Sequence, residues 1–104
     1  MKYVYTAIFS PEPSDTNKNL LSVVFPDIQM CHTCGQDLLD AMEMAADVLC
    51  LCLYHLEEEG EDIPDPTPPQ NIKVEGNDFI TAIAVDTNYY RQFFANYANQ
   101  AIAN

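Results

Sequence analysis

Cysteine and histidine are the residues in this chain best suited to metal or redox chemistry, and their spacing limits what that chemistry can be. Cys31-His32-Thr33-Cys34 is a CxxC segment, and Cys50 and Cys52 complete the thiols. In a redox enzyme the CxxC spacing opens a helix, whose N-terminal dipole lowers the thiol pKa. Here the segment lies just ahead of a helix start, but no βαβ pattern surrounds it. A structural zinc site takes about four ligands. Cys50 and Cys52 fall roughly 160° apart on a helical wheel and cannot both face one ion. The reading is therefore no metal and no cofactor, with the thiols as small core or loop residues. His55 falls near a helix C-terminus beside Glu58 and Glu59, where a cation is favoured, and reads as a surface histidine, as does His32. None of Ser10, Ser14 and Ser22 sits in a nucleophile elbow. Gly35, Gly60 and Gly76 make no phosphate-binding loop. Asp40, Glu43 and Asp47 share one helix side, as a metal-dependent nuclease would require, but nothing encloses them in a pocket. No residue is assigned to catalysis, and the expectation is a protein that is not an enzyme.

The element that positions these residues is the segment Asp37 to Gly60. Leu38, Met42, Ala45, Leu49, Cys52, Leu53 and Leu56 recur at three- and four-residue steps and form one apolar stripe. The other side carries Asp40, Glu43, Asp47 and Glu58. Asp37 is placed to accept backbone N–H groups as the N-cap, with Asp40 as a second acceptor. Gly60 can take the left-handed conformation that ends a helix. From Val48 to Tyr54 the helix is apolar nearly all round, so it is expected to touch more than its own sheet.

Around the helix, residues 2–9 read as a strand with no polar face, and Leu20 to Phe25 as its antiparallel partner. Met30 to Thr33 reads as a short third strand. A Pro-rich connector follows Gly60. Ile72–Glu75, Gly76-Asn77 and Phe79–Val85 read as strand, turn, strand. A second amphipathic helix is expected from Asn88, with Tyr90, Phe93, Phe94, Tyr97 and Ala101 as its apolar side.

The chain has 104 residues, enough for one domain, and 48% of them are apolar, enough for a core. Its 16 acids against 4 basic residues give a net charge of −12. That balance cannot neutralise a row of phosphates, which argues against direct binding of nucleic acid. It suits a basic protein partner instead. The chain enters a strand pattern directly, with no signal-peptide core, and has no apolar run near the roughly 20 residues of a membrane span. The expectation is a cytoplasmic protein with reduced cysteines and no membrane contact.

Phe25-Pro26-Asp27-Ile28-Gln29-Met30-Cys31-His32-Thr33-Cys34-Gly35 resembles the "FPDLPGCxTxG" segment of HicB-type antitoxins. Asp40-Ala41 and Ala45 in the helix, then Gly60, Ile63-Pro64 and Pro66, then Val85-Asp86 and Tyr89-Tyr90 follow the family's order of motifs. Gln29-Met30 stands where the family tends to have Pro-Gly. The resemblance implies a partial RNase H-like β-β-β-α-β fold without nuclease chemistry. It also implies binding to HicA, a small basic toxin that cleaves mRNA with a histidine. Many family members carry a C-terminal DNA-binding segment; the residues after Asp86 are aromatic and almost uncharged, so no such segment is expected.

The expectations are thus an α+β fold, β-β-β-α-β with one main helix and a short C-terminal helix. Residues 1–87 form the HicB-like domain and residues 88–104 the aromatic helix. The function expected is sequestration of a small basic HicA-like RNase toxin. The alternative is an orphan homodimer, structural or regulatory, with no toxin. Phe25, Pro26, Asp27, Asp40, Glu43 and Asp47 are the expected partner-binding residues. Tyr90, Phe93, Phe94 and Tyr97 are the expected interface of a homodimer or higher homo-oligomer.

Overall fold

The computed structural model describes residues 1–93. Four strands form one antiparallel sheet: β1 (Lys2–Pro11), β2 (Leu21–Val24), β3 (His32–Gly35) and β4 (Phe79–Asp86), in the order β3-β2-β1-β4. A single long helix, α1 (Leu38–Glu58), lies between β3 and β4 in sequence, and residues 88–93 start a further helix. This is the α+β, β-β-β-α-β arrangement expected from the chain order.

β1 is the pivot of the sheet. Its eight residues Lys2 to Phe9 pair with Asp86 to Phe79, and Ile8 to Pro11 pair with Val24 to Leu21. Side chains alternate across a strand, so this register assigns every residue a face. Tyr3, Tyr5, Ala7 and Phe9 of β1, Leu21 and Val23 of β2, and Ile83 and Val85 of β4 meet α1. The other face carries Val4, Thr6 and Ile8 with Ser22, Val24, Ile80, Ala82 and Ala84.

Ala41, Ala45, Leu49, Cys50 and Leu53 are the buried residues of α1. The stripe is rotated from the one read in the sequence: Leu38 is exposed and Ala41 takes its place. Gly35 is the cause. A Cβ at Gly35 would lie 2.3 Å from the Ala41 nitrogen and 2.4 Å from its Cα. Only hydrogen at Gly35 and methyl at Ala41 allow strand and helix to approach so closely. The helix starts as expected, with Asp37 Oδ1 accepting from the Asp40 N–H at 2.9 Å and Asp40 Oδ2 accepting from the Gln36 N–H at 2.8 Å. Gly60 has φ +68° just past the helix end.

Two expected strands differ from the sheet observed. The third strand begins at His32, not Met30, because a tight turn takes up the residues before it. Phe25 N–H donates to the Cys31 carbonyl at 3.0 Å and Cys31 N–H to the Ile28 carbonyl at 3.2 Å. Ile72–Glu75 forms no strand. A 3-10 turn at Pro69–Asn71 precedes it, and β4 pairs with β1 instead of turning back on its neighbour.

Candidate partner-binding surface

Two regions of the expected partner site stand close in sequence to α1 but behave differently. The first is the turn after β2. Phe25, expected at the partner surface, is only 1% exposed and belongs to the core beneath the turn. Asp27 is half-buried and already engaged. Its Oδ2 accepts from the Thr67 N–H at 2.7 Å and its Oδ1 from the Thr67 hydroxyl at 2.6 Å. This carboxylate pins the Pro-rich connector across 40 residues of sequence. The Tyr5 hydroxyl makes a second pin by donating to the Pro64 carbonyl. Pro26 is exposed at the apex.

Beside this turn, Met30 adopts φ 66° and leaves its side chain 80% exposed. A left-handed conformation costs a residue with a Cβ about 1–2 kcal/mol, which glycine avoids. Met30 rims a groove of about 400 Å³ lined also by Ile28, Cys52, His55, Leu56 and Pro64. Inside the wall, burial pushes the Cys31 thiol well up from its usual range, and the neighbouring Cys52 adds to the shift. A thiol so held is a packing group, since the thiolate is the reactive form. Among the described residues no group of three or more His, Cys, Asp and Glu is placed to hold a metal ion.

The second region is the outer side of the first half of α1. Glu43 and Asp47 are exposed. Leu39, 70% exposed, and Met44 lie among them. Asp40 is half-buried and serves the helix start, so it is a capping residue as much as a surface acid. The result is a helix surface on which, among the described residues, two exposed carboxylates stand beside exposed aliphatic side chains.

The second half of α1 is covered by the chain itself. Cys50 Sγ lies 3.4 Å from the Asp86 carbonyl. The Tyr54 and Tyr90 rings stand 6.4 Å apart, and Arg91 lies over Tyr54 at 5.4 Å. Glu57 is the centre of this closure. Its carboxylate accepts from the Tyr3 hydroxyl at 2.6 Å, the Thr87 hydroxyl at 3.0 Å and Arg91 at 2.7 Å. Burial acts to raise the Glu57 pKa, but the hydrogen bonds from Tyr3 and Thr87 together with the charges of the N-terminal ammonium and Arg91 outweigh it and hold the carboxyl below its usual range. The same contact, with burial as the larger cause, pushes the Tyr3 hydroxyl up to about 12. Arg91 also pairs with Glu58. No sequence signal singled out Glu57 from the acids around it; only the long-range position of β1 reveals it. Of the residues expected at a dimer interface, Tyr90 turns its ring toward Tyr54 of α1, Phe93 is exposed, and Phe94 and Tyr97 lie outside the described residues.

The comparisons with known proteins agree with this architecture. The chain is similar to a solved chain titled "Toxin-Antitoxin complex from Streptococcus pneumoniae", with TM-score 0.77 and 20% identity over 99% of this chain and 98% of that one. It is similar to a chain of the "HicA3 and HicB3 toxin-antitoxin complex", with TM-score 0.62 and 18% identity over 81% and 99%. It also resembles the N-terminal domain of Burkholderia pseudomallei antitoxin HicB, with TM-score 0.67 and 17% identity over 81% and 99%. Identities this low establish the fold alone. No curated protein matches the chain. The family model described as "HicB_like antitoxin of bacterial toxin-antitoxin system" matches residues 8–92, from the middle of β1 into the helix after β4. The chain belongs to the HicB-like antitoxin family.

Proposed function

We propose that this domain acts by binding, not by catalysis: it holds a small basic HicA-type RNase toxin and blocks it in the cytoplasm. The observation that carries the reading is the outer surface of α1, where Glu43 and Asp47 stand exposed around Leu39 and Met44. Interfaces draw their energy from a few buried apolar anchors ringed by polar groups, and a basic partner supplies the opposite charge. The net charge of −12 steers such a partner from a distance. Family membership and likeness to chains solved in toxin–antitoxin complexes support the same reading. Asp27 contributes by holding the connector in place.

The test is calorimetric titration with a HicA-type toxin, taken from an adjacent reading frame where one encodes a small basic protein. The parent is compared with the double variant Glu43→Lys, Asp47→Lys, with circular dichroism as the folding control. Charges at a rim act mainly on association rate and salt dependence, while desolvated ones cost about 2–5 kcal/mol when truncated. At least a tenfold loss of affinity is expected, with unchanged fold and loss of RNA protection. Equal affinity in parent and variant would refute the surface; no binding by the parent would refute the function.

A further inference from the structure

We propose that Cys31 and Cys52 form an oxidisable dithiol, a site where a peroxide closes a disulfide between the turn before β3 and the second half of α1. The sequence groups the thiols differently, as Cys31 with Cys34 and Cys50 with Cys52, and the fold separates both pairs. Cys34 is opposite Ser22 in the sheet register, which turns its side chain away from α1, while Gly35 beside it meets Ala41. Cys50 packs under the Asp86 carbonyl on the other flank of the helix. Cys31 is 2% exposed, and its Sγ lies 3.8 Å from the Val48 carbonyl. In an α-helix that carbonyl points toward the residue four positions on, which here is Cys52. Helical side chains lean back toward the N-terminus, so Cys52 reaches over the Val48 turn. The two sulfurs therefore converge, and the thiols hydrogen-bond to each other.

Unequal access sets the order of events. Cys52 is half-buried and lines the groove of about 400 Å³ that Met30 rims. Cys31 lies behind it in the core, where burial keeps its thiol protonated, so it is not the first to react. The Cys52 sulfur attacks one oxygen of the peroxide, the O–O bond breaks, and Cys52 becomes a sulfenic acid as water is released. The Cys31 sulfur then attacks the Cys52 sulfur and the S–O bond breaks. The leaving hydroxyl takes up the Cys31 proton as a second water. Two thiols are oxidised to one disulfide while one hydrogen peroxide is reduced to two waters. Contact between the sulfurs gives the second step a high effective concentration, which offsets the weak nucleophile. The product ties the Ile28–Cys31 turn to α1 and encloses β3 and the first half of the helix in a covalent loop. Such a loop restricts the unfolded chain, so the oxidised domain is expected to melt at a higher temperature.

The test exposes the reduced full chain, in its native state, to hydrogen peroxide and reads it by intact mass and by peptide mapping after alkylation. The expected product has lost two hydrogens, keeps two of its four thiols, and yields a cross-linked peptide joining Cys31 to Cys52. Dithiothreitol is expected to restore all four. Cys31→Ala should lose the cross-link and stop at the sulfenic acid, captured on Cys52 by dimedone. Cys52→Ala should leave Cys31 unmodified, and Cys34→Ala should behave as the parent, with circular dichroism as the folding control. The parent's map decides the matter even where a variant does not fold. A parent that keeps all four thiols, a disulfide through Cys34 or Cys50, a cross-link between two chains, or Cys52 carried on to the sulfinic acid overturns the proposal. A melting temperature not raised by oxidation would overturn the tie between turn and helix.

Discussion

The two halves of α1 are built from similar residues and end up in opposite roles. Both carry acids and aliphatic side chains. In the first half, Leu39, Glu43, Met44 and Asp47 face solvent, and the acids in use among the described residues are Asp37 and Asp40 at the helix start. In the second half, Glu57 gathers Tyr3, Thr87 and Arg91, and Cys50 packs under Asp86. The difference arises from what returns to the helix: among the described residues, β1 and the segment after β4 meet the second half and not the outer side of the first. An acid on a helix therefore has no fixed meaning. Its role depends on which distant element comes back to meet it.

Substitutions test that division in descending order of their effect on stability. The largest effect is expected at the start of the open half, where strand and helix touch. Gly35→Ala forces a methyl into Ala41 backbone atoms at 2.3–2.4 Å, which cannot rotate away. A loss of about 3 kcal/mol or more is expected by urea titration, at the upper end of overpacking costs. Retention of parental stability would show that the close approach is not needed.

Next is the closed half. Glu57→Ala removes the acceptor for three donors, one of them charged, and should cost about 1–3 kcal/mol. The pH dependence has a defined sign. The folded Glu57 pKa is lowered, so its contribution is present above the unfolded carboxyl pKa and is lost as pH falls through the depressed folded value. Unfolding free energy measured between pH 7 and pH 3 should fall less steeply in Glu57→Gln than in the parent. Parallel curves would remove Glu57 from the closure.

A smaller effect, of opposite sign, is expected beside the groove. Met30→Gly relieves the left-handed strain at φ 66° but loosens the unfolded chain, for a net gain of up to about 1 kcal/mol. A loss would mean that the exposed Met30 side chain makes contacts that outweigh its backbone. The smallest effect belongs to the open half itself: Glu43→Lys with Asp47→Lys should stay within about 0.5 kcal/mol of the parent by thermal melting, because neither acid is buried.

Local signals carried much of this fold into the sequence. The Asp37 cap, the left-handed Gly60 and the β-branched runs of β1 and β4 each act within a few residues, and each was readable. The apolar belt in the second half of α1 was readable as a sign of extra contact, though not that its own chain supplies it. Errors arose where distant residues decide. The stripe rotated onto Ala41 because of Gly35; the third strand shifted because the turn at Ile28–Cys31 holds Met30 outside the sheet. Phe25 looked like part of a surface turn and proved to be core. Thr67 was not connected to Asp27, because nothing local in either marks the other.

The order of strands also bears on how the domain forms. Of the four strands described, β1 is the first in chain order and lies inside the sheet, yet its long neighbour β4 begins at Phe79 and is the last of them. On a ribosome the outgoing edge of β1 stays unpaired while β2, β3 and α1 take shape beside it, because loop closure over so many residues must precede the pairing. Until then the nascent chain exposes an apolar strand edge of the kind that recruits other strands. The helix can shield one face in the meantime, but it cannot shield that edge. Synthesis of β4 is thus the step that commits the domain, and the delay before it is the interval in which the chain is most open to mispairing.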